Sequence, residues 1–328
     1  MELSTDQRRD VYENLLLTRR FEETVLEVYE AGGIPELPHL SIGQEAVGVG
    51  ACYALSDDDW VAPSLRTRAA MLMRVDLNEV VAGMFGTRSG PSSGRTTQHH
   101  MGSTERRILG TTGLVGSHLN AAVGAGLSSK QLGIDRVSAV FFGDGGTTRG
   151  EFHTAINFAA VEDLPVVFVI ENNLWTEETP IKDVTAIEED LIEFVGHDLP
   201  AEIVDGQDAD AVIDAVDEAV TRARNGGGPT VLEAKTYRYR PHAEVIPERR
   251  PEAEIETWKQ RDPIDIYRDR LLEDDVVDEA WLEALDEEIQ ARIDEAFEFA
   301  TNDPLPDEDV MYQVYCDVDV DRNGGVVR

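Results

Sequence analysis

The stretch "VSAVFFGDGGTTRGEF", residues Val137 to Phe152, runs an apolar strand into a glycine-rich turn. Glycines between a strand and a helix suit a loop that cradles phosphates, because backbone N–H groups and a helix N-terminus can then approach closely. Asp144 sits between two of those glycines, where its charge repels a phosphate. A dinucleotide fingerprint does not explain it: the third glycine of G-x-G-x-x-G is Thr148 here, and no GK[ST] phosphate loop occurs. A hard divalent cation removes the conflict. Mg²⁺ takes oxygen ligands in an octahedron and combines one or two protein groups with phosphate oxygens, which makes Asp144 a ligand.

A second apolar strand, "PVVFVI", ends in "ENNLW", and Asn173 there offers an amide oxygen. Ligands of open α/β sheets bind beyond the carboxyl ends of the strands, so the two loops face one crevice if their strands are neighbours. "AEIVDG" and "PTVLEAKTYR" read as further strands. "RGEFHTAINFAAVE", with Phe152, Ile156, Ala159 and Ala160 on one face, and "ADAVIDAVDEAVTRAR" read as helices, as does "GLVGSHLNAAVGAGLSSKQ". Strands apolar throughout, alternating with helices, predict a doubly wound parallel α/β sheet covered on both faces.

Thr5 to Ala31 reads as an amphipathic helix with Val11, Leu15, Phe21, Val25 and Val28 at helical spacing, ended by Gly32 and Gly33. "HLSIGQEAVGVGACYAL" passes from a polar loop into a small-residue helix. Gly86 to Arg107 is loop-like, and a loop that long is usually functional. After about residue 240 the sequence turns charged and helical. Residues 1–240 are therefore expected to form the binding domain, with 241–328 as a helical extension packed on it.

The 328 residues carry 65 acidic and 29 basic side chains, a formal charge of −36. Such a surface repels nucleic acid and anionic membranes. The acidic residues are scattered through periodic apolar segments, as in proteins of salt-loving microbes, and the runs near Glu188 and Glu283 read as solvated helix faces. Cys52 and Cys316 are too few for a disulfide framework or a cysteine metal site. No run of eighteen apolar residues occurs, so a cytoplasmic protein is expected.

The spacing of GDG, then 26 residues, then NN resembles the cofactor motif of thiamine diphosphate enzymes. Around it, from about Thr18 to Leu305, the chain resembles the alpha subunit of the decarboxylating component of 2-oxo acid dehydrogenase complexes. The matches are "RRFEE", "HLSIGQEAVGVG", "GLVG", "GDGGTTRGEFHTAINFAA", "LPVVFVIENNLW", "VDGQDADAV", "GGGPTVLEAKTYRYRPH" and "WKQRDPI", in that order. The resemblance implies that Asp144 and Asn173 bind Mg²⁺ by side chain and Trp175 by its carbonyl. It places Gly145 and Gly146 against the diphosphate, Arg66 as its guanidinium clamp, and Gly113 and Val115 at the aminopyrimidine. His39 and His242 match active-site histidines, the second in a loop that closes over the diphosphate.

The sequence also departs from that family's pattern. Leu65 stands where a tyrosine usually lies beside the arginine, and Glu177 and Glu178 precede Thr179 where "IST" is usual. Ala243 replaces a serine that is phosphorylated in some relatives, and the Asp and Tyr-Arg elements later in that loop are lost in "EVIPERRPEAE". His99 and His100 read as polar residues lining a cleft, and His153 as a packing residue.

The resemblance further implies half of a catalytic heteromer. A beta subunit would supply the glutamate that activates the cofactor, and a lipoyl-bearing acyltransferase would accept the acyl group. "HLSIGQEAV" and "GLVG" resemble pyruvate and acetoin members. "GRTTQHHMGSTERR" resembles branched-chain members through Arg95, His100, Gly102, Glu105 and Arg106. The substrate stays open between a 2-oxo acid and acetoin, and a degenerate paralogue that only binds a partner is a third reading.

Overall fold

The computed structural model describes residues 2–187, 190–196 and 199–310, with the backbone alone of 311–312, 319–320 and 326–327. Glu188 and Cys316 lie outside the described residues. Helix α1 (Thr5–Glu30) begins at Ser4, whose hydroxyl accepts from the Gln7 N–H while the Gln7 side chain accepts from the Ser4 N–H. Val11, Leu15, Phe21 and Val25 are buried on its inner face. Helix α2 (Glu45–Ala54) is built of small residues for a reason of packing. A Cβ at Gly50 would stand 2.9 Å from the carbonyl oxygen of Ala209 on a later helix.

Strand β1 (Trp60–Ala62) and helices α3 (Ala69–Leu72) and α4 (Leu77–Phe85) follow, none of them signalled by the sequence pattern. The long segment after α4 carries one 3₁₀ turn, Gln98–His100, and no α-helix or strand before α5 (Ser117–Leu132). The expectation that "GLVG" opens α5 fails. Gly116 takes a left-handed φ of 87°, which leaves Gly113 to Gly116 as the loop before the helix.

The alternating unit then runs β2 (Ser138–Gly143), α6 (Gly150–Val161), β3 (Val166–Asn172), the small hairpin β4 (Trp175–Thr176) and β5 (Thr179–Pro180), β6 (Ala201–Asp205), α7 (Ala209–Arg224) and β7 (Thr230–Lys235). On α6 the inner face is Phe152, Ala155, Ile156 and Ala159, with Ala160 only half-buried. The sheet has the order β1-β2-β3-β7-β6 with every pair parallel.

Helices cover both faces. Val47 and Ala51 of α2 and Val212 and Val216 of α7 pack on Phe141, Val169 and Leu232. Leu119 of α5 and Phe152 and Ile156 of α6 pack on Val140, Phe142 and Phe168 from the other side. Burial on both faces is why the central strands β2, β3 and β7 are mostly apolar, each large side chain contributing about 1.5–3 kcal/mol, while the edge strand β6 leaves Ala201, Glu202 and Ile203 exposed.

Helices α8 (Glu252–Lys259), α9 (Pro263–Glu273) and α10 (Glu279–Asn302) follow, then a 3₁₀ turn over Glu308–Tyr312 and a two-stranded antiparallel pair, β8 (Asp319–Val320) with β9 (Val326–Val327). Ile289, Ile293 and Phe297 of α10 and Tyr267 of α9 join Leu15 and Phe21 of α1 in a third apolar cluster. Glu283 is exposed on α10, a solvated face as expected. Arg19 of α1 bridges Glu45 of α2 at 2.6 Å and Asp262, the N-cap of α9, at 3.0 Å. That bridge ties the C-terminal helices to the sheet layer.

Candidate active site

A cavity of about 390 Å³ opens beyond the carboxyl ends of β2 and β3, which are neighbours with Gly143 paired to Glu171. His39, Arg66, Gly113, Val115, Asp144, Gly145, Gly146, Asn173, Trp175 and His242 all line it. A larger depression of about 620 Å³ lies near the opposite ends of the strands. Its arginines are already paired: Arg224 with Asp59 and Asp135, and Arg136 with Asp58.

Asp144 follows the last residue of β2 and starts a 3₁₀ turn that leads into α6. Its Oδ1 accepts from the Gly145 N–H at 2.6 Å, while its Oδ2 is buried without a partner. Burial pushes the carboxyl up to about 6, against the Gly145 N–H, Arg238, Arg66 and the Trp175 N–H. Asn173 is buried one residue past β3, and its Nδ2 donates to Gln44 Oε1 at 3.2 Å. Between Asn173 and Trp175, Leu174 adopts a left-handed φ of 69°, a strain of about 1–3 kcal/mol for a non-glycine residue. That twist turns the Trp175 N–H toward Asn173 Oδ1, at 3.4 Å, and toward the Asp144 carboxylate. The Trp175 carbonyl accepts from Arg238 at 3.5 Å, and its indole N–H donates to Glu254 at 2.7 Å.

Gly145 is confined by the β4–β5 hairpin: a Cβ there would stand 2.2 Å from Thr176 Oγ1. Gly113 and Val115 lie at the mouth, where Leu114 and Val115 are 64% and 52% exposed. Two large apolar side chains beside a cavity mark an edge of the site that this chain leaves uncovered.

Arg66 reaches the loop after β7, donating to the His242 carbonyl at 2.5 Å and approaching His242 Nδ1 at 3.3 Å. Its Nε has no partner. Burial pulls its guanidinium down to about 10, opposed by Glu171 and Asp144, so it stays cationic near neutral pH. The His242 ring stands 5.1 Å from that of His39. Burial and Arg66 hold both imidazoles low, His39 at about 3 and His242 at about 2.

Leu65 lines the cavity, and a hydroxyl is lost there. Glu177 and Glu178 are less disruptive than their charges suggest. Glu178 forms an ion pair with Arg249 at 3.0 Å, and Glu177 is exposed, with its carbonyl accepting from Arg238. The loop that lost its Asp and Tyr-Arg elements has another anchor. Arg250 is buried and donates to the Arg238 and Arg240 carbonyls and to Glu248. Ala243 is buried and carries no hydroxyl.

Several cavity residues were not singled out from sequence. Gln44 positions Asn173. Glu171 is buried and accepts from Ser64 at 2.5 Å and Thr67 at 3.0 Å. Arg238, outside the cavity lining, is buried and its charge acts on Asp144. His118 lines the cavity with its Nδ1 unpartnered. Glu171, in "VIENNLW", was signalled by a polar residue at an apolar strand end, whereas Gln44, the N-cap of α2 in "SIGQEAV", had no such signal. His99, read as a cleft-lining residue, contacts His39. His100 is exposed, and His153 is exposed but packs edge-on against Phe152 and Phe194.

Among the described residues no three His, Cys, Asp or Glu side chains converge to hold a metal. One carboxylate, one amide and one carbonyl make a different donor set, incomplete without phosphate oxygens and water. The unpartnered Asp144 Oδ2 suits a cation, and the unpartnered Arg66 Nε suits an anion beside it. The residues present therefore fit a magnesium diphosphate group.

The family model described as "Dehydrogenase E1 component" matches residues 13–309. This chain belongs to the dehydrogenase E1 component family. The alpha subunit of acetoin:2,6-dichlorophenolindophenol oxidoreductase from Bacillus subtilis (strain 168) is 33% identical over 319 residues, 96% of this chain and 95% of that one. Pyruvate dehydrogenase E1 component subunit alpha of Rhizobium meliloti (strain 1021) is 35% identical over 95% of this chain and 90% of its own. The same subunit of Zymomonas mobilis subsp. mobilis is 38% identical over 92% of this chain and 86% of its own. The E1 component family comprises thiamine diphosphate-dependent oxidoreductases that decarboxylate 2-oxo acids. Its alpha subunits work with a beta subunit. No helix among the described residues of this E1 chain is long and apolar enough to cross a membrane.

Proposed function

We propose that this E1 chain binds thiamine diphosphate through Mg²⁺ held by the Asp144 and Asn173 side chains and the Trp175 carbonyl. The observation that carries the reading is the buried, unpartnered Asp144 Oδ2 in a cavity it shares with Arg66 and Asn173. Arg66 binds a diphosphate oxygen, and Gly145 and Gly146 let the turn lie against the diphosphate. Gly113 and Val115 offer backbone groups to the aminopyrimidine ring. Arg238 would release the Trp175 carbonyl to the metal, a shift that the long 3.5 Å contact makes easy.

When bound, the cofactor supplies the carbanion chemistry that releases CO₂ from a 2-oxo acid. His39 and His242, both neutral, orient the substrate and exchange hydrogen bonds with it. A beta subunit covers the edge at Leu114 and Val115 and brings the activating glutamate. A lipoyl-bearing acyltransferase takes the acyl group. Residues 1–240 form the binding unit in this reading and 241–328 its helical extension. A cytoplasmic setting fits the buried, unpaired Cys52 thiol, and the charge of −36 fits a salt-rich one.

A second reading, cleavage of acetoin, is favoured by the Bacillus subtilis relative, which matches nearly the whole chain. The test is to purify the chain with and without a beta subunit and measure CO₂ release from pyruvate and branched-chain 2-oxo acids, and cleavage of acetoin. The reading expects turnover of a 2-oxo acid by the pair and none by the chain alone. Activity with acetoin alone would transfer the assignment to the second reading. No thiamine diphosphate binding by the pair would leave only a partner-binding paralogue.

A further inference from the structure

Behind His39, the segment before α2 and the long loop after α4 meet in a line of three titratable side chains. Glu36 Oε1 lies 2.6 Å from His99 Nδ1, and His99 Nε2 lies 3.0 Å from His39 Nδ1. The other Glu36 oxygen accepts from the Thr97 hydroxyl and from the His99 N–H at 3.3 Å. Gln98 Nε2 fastens the Glu36 carbonyl at 2.9 Å. The Glu36 carboxylate is thus held by three donors from one loop, which fixes its angle to the His99 ring. The His99 and His39 rings meet edge to face, with centroids 4.8 Å apart.

Proton positions follow from donor and acceptor rules. A carboxylate only accepts, so His99 carries its proton on Nδ1, and its Nε2 is then a bare acceptor. The 3.0 Å contact to His39 Nδ1 then requires the proton to be on His39, which leaves His39 Nε2 bare. Both rings are neutral. Burial comes first for His39, then Arg66, His99 and Arg68, against the Leu37 carbonyl. For His99 burial and Arg68 outweigh Glu36 and the Leu37 carbonyl, and His100 adds to them. His242 has the opposite arrangement. Arg66 is always a donor, so the His242 Nδ1 it approaches is an acceptor and the His242 proton is on Nε2.

We propose that Glu36 and His99 are positioning residues that hold His39 as its Nδ1–H tautomer, so that one cavity wall offers an acceptor, His39 Nε2, beside a donor, His242 Nε2–H. The pair suits a small ligand that presents a hydroxyl next to an acceptor oxygen. Its kinetic consequence rests on the cavity being the substrate site proposed above; the tautomer itself does not.

The test is two-bond ¹H–¹⁵N correlation spectra of the histidine-labelled full chain at pH 7.5, with His39 and His242 assigned by single substitutions. The expected result is His39 protonated on Nδ1 and His242 on Nε2. His99→Gln retains an acceptor for His39 and a donor for Glu36, so His39 keeps its tautomer. His99→Phe removes both, and His39 shifts to a mixture dominated by Nε2–H. In the complex with the beta subunit, His99→Phe lowers kcat about tenfold with KM within about twofold, while His99→Gln stays near wild type. His39 found as Nε2–H in the wild-type chain, or unmoved in His99→Phe, would overturn the proposal. The spectra need no cofactor. A chain that binds no thiamine diphosphate but shows the expected tautomers therefore refutes the functional reading and leaves this one standing.

Discussion

His118 Nε2 lies 2.7 Å from the Phe141 carbonyl oxygen, and its ring is buried at the start of α5. Burial lowers its pKa, against the pull of that carbonyl. The folded chain therefore binds its proton less readily than the unfolded chain, whose value is near 6.5. The stability tied to neutral His118 is fully present above about pH 6.5 and is lost as pH falls toward the depressed folded value. Urea unfolding of the isolated chain at pH 7.5 and 5.5 checks this: His118→Gln should lose less stability over that interval than the wild type. Equal losses would show that the ring titrates normally.

Legibility at this scale depended on whether a residue contradicts its neighbours. Asp144 declares itself, because a carboxylate between glycines of a phosphate-loop pattern is a mismatch that a cation would resolve. His99 does not. Its partners Glu36 and His39 are some sixty positions away, and no local pattern brings the three together. Arg238 looked like one more arginine in "TYRYRPH", and only its burial and its bonds to the Trp175 and Glu177 carbonyls give it a role.

Among elements, the turn after β2 and the β4–β5 hairpin interlock through Gly145. A methyl group there would meet Thr176 Oγ1 at 2.2 Å and Thr176 Cβ at 3.0 Å. Gly145→Ala should cost about 1–3 kcal/mol by overpacking and push the hairpin off the cavity. Thr176→Ala removes the nearer atom, so it should recover part of that loss only in the Gly145→Ala background. Denaturant melts of the two singles and the double measure the coupling, and strict additivity would mean the two residues do not touch. The sequence showed β2, β3 and β7 through the apolar runs that burial on both faces demands, and the edge strand β6, mostly exposed, through its short AEIVDG pattern alone. It did not show β1, three residues long, or α3, four residues long, because neither is long enough to display a period. It misread "GLVG" as helix because nothing in the letters reveals the left-handed Gly116.

For the whole molecule, two opposite electrostatic regimes coexist. The chain is strongly acidic overall, yet at the cavity the buried carboxylates Asp144 and Glu171 face the guanidinium of Arg66, and the charge of Arg238 also acts on Asp144. Carboxylate and guanidinium side by side are the pairing that the proposed metal-bridged diphosphate would use. The most direct measurement is anomalous diffraction from crystals of the chain with its beta subunit, grown with thiamine diphosphate and Mn²⁺ in place of Mg²⁺. The account predicts a single Mn²⁺ peak in the cavity within about 2–2.5 Å of an Asp144 oxygen and the Asn173 amide oxygen. That peak should be absent in Asp144→Asn crystals. A Mn²⁺ peak elsewhere, or cofactor bound equally well and with the same metal dependence by Asp144→Asn, would contradict it.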